Sequence, residues 1–91
     1  MDKEILTKNI NKIHTTTLGV ARIRKNLDLK DDDVVPYIKE ILLNENTFIY
    51  KKGKNYYCTN NNIIITINSY SFTIITVNKS WWYDEFYKAK N

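Results

Sequence analysis

The first half of the chain spaces its apolar residues as amphipathic helices do. The pattern predicts three helices: one over residues 2–14, one capped by the threonine run 15–17, and one capped by the acidic run 31–33 that ends near Asn44. Their apolar stripes are, in chain order, Leu6, Ile10 and Ile13; Val20, Ile23 and Leu27; and Val34, Val35, Ile38, Ile41 and Leu42.

After Asn46 the period changes from helical to alternating, which is typical of strands. Four strands are predicted over residues 47–51, 55–59, 63–68 and 72–78, joined by the turns 52–54, 60–62 and 68–71. The expected fold is α+β: three N-terminal helices packed on one face of a four-stranded antiparallel meander. A short aromatic C-terminal helix capped by Ser80 would follow, either packed on the sheet edge or presented to a partner.

The length of 91 residues predicts one domain, with a helical part over 2–45, a sheet over 47–79 and an aromatic segment over 80–90. The single cysteine, Cys58, excludes an internal disulfide and favours a reducing cytoplasm. No apolar leader or membrane span is expected. Two glycines are too few for a glycine-rich phosphate loop. The oligomeric state stays open, because an exposed tail or sheet edge would also suit a second copy.

Charge is distributed unevenly along the chain. Residues 1–27 are basic, residues 28–46 are acidic, and residues 46–83 contain no Asp or Glu although Lys51, Lys52, Lys54 and Lys79 lie among them. A basic, aromatic, acid-free sheet favours a phosphate-rich ligand. No metal or cofactor is expected, because hard cations prefer carboxylate ligands and the chain has no Cys/His cluster.

His14 is the only histidine and therefore the side chain best suited to proton transfer at neutral pH. It lies at a helix–helix junction beside three threonines, where it would act either as a structural residue that bonds free helix carbonyls or as a catalytic one. Metal-free RNA cleavage needs proton transfer and cations for the developing phosphorane charge. His14 or Tyr56 would supply the first, and the cations Arg22, Arg24, Lys52 and Lys54 the second.

The predicted strand faces bring small polar side chains together. Alternation places Thr76 and Asn78 on one face of the last strand, with Phe72 and Ile74, and Thr66 and Asn68 on one face of the strand before it. These four polar residues would line one patch that orients a ligand. They would equally suit a plain strand, since Thr is a good strand former and Asn is common at strand ends.

The chain resembles a bacterial family known as domain of unknown function 3781. The resemblance covers about residues 4–79. It is carried by the segments IHTT (13–16), LG (18–19), RI (22–23), NL (26–27), DVV (33–35) and GKNYY (53–57), by Ile64 with TIN (66–68), and by YSFTIIT (70–76). In that family the last strand often continues from the Thr76 position to Ala and then His, where this chain has Val77 and Asn78. More distantly, the architecture is similar to the barnase/RelE-like ribonuclease toxins, which implies a metal-independent nuclease with RNA on the sheet face.

The resulting expectation is a small cytoplasmic nucleic-acid-binding or RNase-like domain, with nucleic acid or a nucleotide as its partner. The alternative is a small interaction protein without catalysis, such as an inhibitor of a nucleic-acid enzyme or a nucleotide-sequestering protein. Its contact surfaces would be the acidic segment 28–46 and the aromatic residues 81–87, including Trp81 and Trp82.

Overall fold

A computed structural model of the chain describes residues 2–27 and 34–79. These residues form the helices α1 (Asp2–Lys8), α2 (Thr17–Leu27) and α3 (Val34–Leu43) and the strands β1 (Phe48–Lys52), β2 (Asn55–Asn60), β3 (Ile63–Asn68) and β4 (Ile74–Lys79). The strands pair antiparallel in the order β1-β2-β3-β4. The α+β class and the antiparallel meander are therefore confirmed. The expected aromatic C-terminal helix and the acidic cap 31–33 lie outside the described residues.

One core joins the helices to one face of the sheet. Its fully buried side chains alternate along the strands, as they must when one sheet face is covered. From the helices it takes Leu6, Ile13, Ile23, Leu27, Val34, Ile38 and Leu42, and from the strands Ile49, Tyr56, Cys58, Ile65, Ile67, Ile74 and Val77.

The first helix is shorter than its apolar stripe predicts. Helix α1 ends at Lys8, and a single 3-10 turn over Ile10–Lys12 follows. The Asn9 side chain donates to the Ile5 carbonyl at 2.8 Å, while the Asn9 backbone N–H turns to the Leu6 carbonyl at 3.0 Å. An Asn side chain that takes the helical acceptor competes directly with the next helical hydrogen bond. The chain then extends through His14 to the sheet edge.

Helix α2 begins where the threonine run predicts a cap. The Thr16 hydroxyl accepts from the Gly19 N–H at 3.0 Å, and the Thr16 carbonyl accepts from Val20 N–H at 2.9 Å. These are the bonds of an N-cap residue and of the first helical turn. A Cβ at Gly19 would collide with the Thr15 hydroxyl, so a larger residue there would require the Thr15 side chain to move.

The turns of the meander use the backbone freedom of glycine and asparagine. Gly53 has φ +63° in the two-residue turn between β1 and β2, with a positive angle at the first turn position only, as in a type II′ hairpin. Asn61 has φ +53° in the turn between β2 and β3. Asparagine tolerates this left-handed region better than other residues with a Cβ.

Strand β4 differs from the predicted alternation. The strand begins at Ile74, and the register with β3 shifts so that Ile67 pairs with Ile74 while Thr66 pairs with Thr76. Ile75 is thus one extra residue, a β-bulge. The bulge puts Ile74 on the core face with Val77 and leaves Thr76 and Asn78 on the other face. The expectation that Ile74 shares a face with Thr76 is therefore wrong.

Burial of Cys58 predicts a loss of stability in alkali. Burial raises the pKa of the Cys58 thiol to about 12, an effect that the Lys3 charge only partly opposes. The thiol is neutral in the folded state up to that pH, whereas the unfolded chain releases its proton near pH 9. The free energy of unfolding should therefore fall between pH 9 and pH 12, by at most about 1.4 kcal/mol per pH unit from this group.

Urea unfolding at pH 8 and pH 10.5, with Cys58→Ala beside the native chain, measures this contribution. The variant should be less stable at both pH values, because it loses core volume. Its loss of stability between the two pH values should be smaller by about 2 kcal/mol. An equal loss in both proteins would show that Cys58 is not the source.

Candidate nucleic-acid interface

The face of the sheet that turns away from the core, here called the open face, carries three rows of side chains. The strand register gives the first row as Phe48, Thr59, Ile64 and Asn78, and the second as Tyr50, Tyr57, Thr66 and Thr76. Phe48 and Tyr50 remain 64% and 40% exposed, and Thr76 and Asn78 are exposed as well. Large aromatic side chains at this level of exposure on a sheet face are available to a ligand.

Three rings form one aromatic patch on β1 and β2. Tyr50 stacks on Tyr57 with 5.5 Å between ring centroids and 26° between ring planes. Phe48 lies 5.8 Å from Tyr50 at a tilt of 39°. Contacts of this geometry hold the rings in place against one another. The patch therefore presents pre-ordered π-faces at one side of the open face.

The third row of the open face is polar and crosses the full width of the sheet. Lys52 pairs with Asn55, and Asn55 pairs with Asn68. The Asn68 N–H donates to the Thr73 carbonyl at 2.9 Å, which places Thr73 beside it. His14 forms a parallel bridge to Thr73. This polar row therefore runs from Lys52 at one edge to His14 at the other.

Backbone hydrogen bonds fix His14 at the end of the polar row. Its N–H donates to the Phe72 carbonyl at 3.2 Å, and its carbonyl accepts from the Ile74 N–H at 2.8 Å. Ile13, the residue before it, is buried in the core. Because neighbouring residues of an extended segment point to opposite sides, the exposed His14 side chain lies on the open-face side.

The imidazole of His14 has one nitrogen committed to a carbonyl. Nδ1 lies 2.8 Å from the Lys12 carbonyl oxygen, and Nε2 lies 3.1 Å from the Thr73 hydroxyl oxygen. A carbonyl oxygen can only accept, so Nδ1 carries the proton. In the neutral ring Nε2 then holds the lone pair and accepts from Thr73. An unprotonated ring nitrogen, oriented by the hydrogen bond of the other nitrogen, is the arrangement of a general base.

A chain of hydroxyls continues from His14 into the turn between β3 and β4. The Thr73 and Ser71 hydroxyl oxygens are 2.8 Å apart, and the Ser71 hydroxyl donates to Asn68 Oδ1 at 3.2 Å. Asn68 Oδ1 also accepts from the backbone N–H groups of Tyr70 and Ser71, each at 2.9 Å. If the imidazole also carries a proton on Nε2, that nitrogen donates to Thr73, Thr73 donates to Ser71, and Ser71 donates to Asn68 Oδ1. Each of the three contacts then has one proton.

This turn contains a strained backbone position. Phe72 has φ +58°, a conformation in which a bulky residue is an outlier. Its N–H donates to the Asn68 carbonyl at 2.9 Å, and the Lys12 ammonium lies 5.7 Å from the centre of its ring. Strain of this kind persists where surrounding contacts require it and is concentrated at functional sites. Phe72 directly precedes Thr73, whose hydroxyl contacts His14 Nε2.

A groove of about 220 Å³ lies between α2 and β4, beside the open face. Arg22 on α2 lines it together with Thr76 and Asn78 on β4. The Asn26 amide nitrogen donates to the Val77 carbonyl at 2.9 Å and to Asn78 Oδ1 at 3.2 Å. Three of the candidate ligand-binding residues therefore meet at this groove.

The other candidate residues are placed as follows. Lys52 lies at one end of the polar row, and Lys54 lies in the adjacent turn, where its carbonyl accepts from the Ser69 N–H at 2.8 Å. Arg24 is half-buried on α2 and does not line the groove. Tyr56 faces the core and is only 4% exposed. Burial, reinforced by the charge of Asp2, raises the pKa of its hydroxyl. Because it faces the core, Tyr56 does not join His14 on the open face.

Sequence reasoning missed the immediate partners of His14. Thr73 and Ser71 lie within the YSFTIIT segment, but nothing in that segment marks them as partners of a histidine more than fifty positions earlier in the sequence. The exposure of Phe48 was also missed, although its alternation with the buried Ile49 signals it. Among the described residues, no three His, Cys, Asp or Glu side chains gather as a metal site would require. No helix of this part of the chain is long and apolar enough to cross a membrane.

The His14 contacts predict a defined tautomer. The neutral ring should carry its proton on Nδ1, and long-range ¹H–¹⁵N NMR should show an unprotonated Nε2 at high pH. Thr73→Val removes the hydroxyl with little change of shape and should shift the Nε2 resonance. Thr76→Val, which alters a threonine on the next row, should leave it in place. A neutral ring with its proton on Nε2 would contradict the assignment.

Comparison with known proteins adds a family but no activity. No curated protein and no solved structure matches the chain significantly. The model of the family described as "Protein of unknown function (DUF3781)" matches residues 7–78, which include α2, α3 and the four strands except Lys79, but only the last two residues of α1. The chain therefore belongs to the DUF3781 family.

Proposed function

We propose that the protein binds single-stranded nucleic acid, RNA in particular, on the open face of its sheet. The observation that carries this proposal is the position of the aromatic patch beside the polar row, on a face whose four strands contain no carboxylate. Unstacked bases pack on exposed aromatic rings, and each such contact contributes about 1–3 kcal/mol. Single strands suit a sheet face because their bases are free to turn toward it.

The charges around the aromatic patch match a phosphate backbone. Lys52 ends the polar row next to Asn55, and Lys54 lies in the turn that follows. Both lysines are exposed, whereas Lys51 pairs with the core-facing Tyr56 and lies on the other face of β1. Asp2 lies at this edge, but its carboxylate accepts from the Lys51 backbone N–H at 2.9 Å and is thus held by the β1 edge. Lysines at this position would hold phosphates while the rings hold bases.

The geometry of His14 favours a second activity, cleavage of the bound RNA without a metal. The Nε2 lone pair would accept the proton of a ribose 2′-hydroxyl in place of the Thr73 proton. The 2′-oxygen then bonds to the adjacent phosphorus, the bond from phosphorus to the 5′-oxygen breaks, and the leaving oxygen takes a proton from water. The products are a 2′,3′-cyclic phosphate and a 5′-hydroxyl. The expected similarity to ribonuclease toxins is not supported by any match to a solved structure, so this proposal rests on the geometry of His14.

Binding is tested by fluorescence anisotropy on a labelled 12-nucleotide RNA of mixed sequence. Tyr50→Ser removes the central ring of the aromatic patch and should weaken binding about tenfold, the loss of one stacked base. Tyr70→Ser is the matched control, because Tyr70 is an exposed tyrosine in the turn between β3 and β4 and not on the patch. It should leave the affinity unchanged. Equal loss in both variants would contradict a specific stacking surface.

Salt dependence tests the lysines separately. Affinity should fall steeply between 50 and 200 mM salt, and the double change Lys52→Glu/Lys54→Glu should both weaken binding and flatten that slope by at least about one unit. No binding at low salt would overturn the proposal. The alternative of an interaction protein would then be pursued through the acidic segment 28–46 and the aromatic residues 81–87.

Cleavage is tested on the same RNA in excess EDTA. Native protein should cut, and His14→Ala should lose at least a hundredfold in rate, the usual contribution of a general base. Thr73→Val keeps His14 and should retain activity. RNA binding should be unchanged in His14→Ala, which separates catalysis from affinity. Binding without cutting by the native protein would leave a nucleic-acid-binding protein and exclude the nuclease activity.

A further inference from the structure

The groove between α2 and β4 is a separate surface from the aromatic patch, at the opposite edge of the sheet. Its volume of about 220 Å³ suits a single small ligand and not a run of nucleotides. It is formed because α2 runs along β4, with Thr16 near the start of the strand and Asn26 bonded to Val77 near its end. Both ends are thus defined by described contacts.

The polar groups of this groove are set to donate to an anion. Within residues 2–27 and 34–79, Arg22 is the only charged residue that lines it, and no carboxylate of that part of the chain does. Arg22 is exposed and makes no hydrogen bond or ion pair with any residue that the structure describes. Its guanidinium presents several N–H donors in a fixed planar fork, which matches phosphate oxygens.

The hydrogen bonds of Asn26 orient a second donor. The Asn26 amide nitrogen uses its two protons on the Val77 carbonyl and on Asn78 Oδ1. Because the Asn78 oxygen accepts from Asn26, its own NH₂ group remains for a ligand. The Thr76 hydroxyl lies two residues away on the same face of β4. The groove therefore offers a guanidinium, an amide NH₂ and a hydroxyl.

Two aliphatic side chains flank these donors and are unusually open to solvent. Leu18, in the first turn of α2, is 72% exposed, and Ile75 on β4 is 48% exposed. Both line the groove. Ile75 is the bulge residue, so the register shift itself puts this side chain there. Paired apolar side chains beside a cation suit a ligand with a flat apolar body and an anionic end.

We propose that the groove between α2 and β4 binds one nucleotide, with its phosphate on Arg22 and its base between Leu18 and Ile75. Asn78 and Thr76 would complete the contacts to the phosphate and ribose. These two residues also end the first two rows of the open face, so the nucleotide is either free in solution or the phosphorylated end of a strand that crosses the sheet. The second source rests on the proposed function, whereas the first stands without it.

The test for a free nucleotide uses uridine 5′-monophosphate and uridine as probes. Titration of ¹⁵N-labelled protein followed by NMR should shift the amides of Leu18, Arg22 and residues 75–78, and the monophosphate should bind at least tenfold more tightly than uridine. Arg22→Gln should remove that tenfold preference. Lys25→Gln is the matched control, because Lys25 is an exposed cation of the same helix that does not line the groove.

The test for a strand end compares 5′-phosphorylated with 5′-hydroxyl RNA by anisotropy. A tenfold advantage of the phosphorylated strand that disappears in Arg22→Gln supports this source. Tyr50→Ser should weaken both RNAs and leave the binding of uridine monophosphate unchanged, so failure of the aromatic patch and failure of the groove are told apart. The inference is overturned if neither phosphate-bearing probe binds better than its hydroxyl counterpart, or if Lys25→Gln removes the preference as Arg22→Gln does.

Discussion

The structure depends on two backbone hydrogen bonds that tie His14 to the edge of β4. They hold His14 in an extended conformation between the 3-10 turn Ile10–Lys12 and the cap of α2. This fixes where the residues on both sides of His14 lie. Ile13 enters the core, and the His14 ring reaches the open face. Helix α2 then starts beside β4, which creates the groove. The bridge thus places the His14 ring at the polar row, and it joins the Asn26–Val77 hydrogen bond in holding α2, which carries Arg22, along β4.

The turn between β3 and β4 meets the bridge from the other side. Asn68 caps this turn with its side chain and holds it with backbone bonds to Phe72 and Thr73. These contacts hold Phe72 in its left-handed backbone conformation, and such support allows a strained conformation to persist. Its result is a continuous line of hydrogen-bonding groups from Asn68 to His14. The Ser69 N–H of the same turn donates to the Lys54 carbonyl, so the β1–β2 turn and the β3–β4 turn are connected at one end of the sheet.

The sequence predicted most of the local features of the fold and few of the contacts between distant residues. Gly53, Asn61 and the Thr16 cap lie where local backbone chemistry demands them, and the hairpins and α2 followed from it. Two local features differ from the prediction because a regular hydrophobic pattern runs through them. Asn9 ended a helix whose apolar stripe continued to Ile13, and the bulge at Ile75 broke an alternation that looked regular. Neither signal stands out against the hydrophobic period.

The candidate site was predicted as a set of residues and not as an arrangement. His14, Arg22, Thr76 and Asn78 were selected for their chemistry, but only the fold decides that Arg22 faces the two β4 residues while His14 faces Thr73. Contacts across more than fifty residues leave no periodic trace in one sequence. Tyr56 was selected, like His14, as a group that could transfer a proton, and strand parity alone removes it from the open face.

Tyr56 and Tyr57 show how closely the stability and the proposed function are linked. Adjacent residues of β2 point to opposite faces, so one tyrosine fills the core beneath the sheet and the other stacks on Tyr50 above it. A slip of β2 by one residue against its neighbouring strands would exchange them and also turn Cys58 toward solvent. The core therefore fixes the register, and the register fixes the aromatic patch. The spacing of the rings therefore depends on the core residues that alternate with them. Because the core provides the register, the residues of the open face can serve a ligand instead of the stability of the fold.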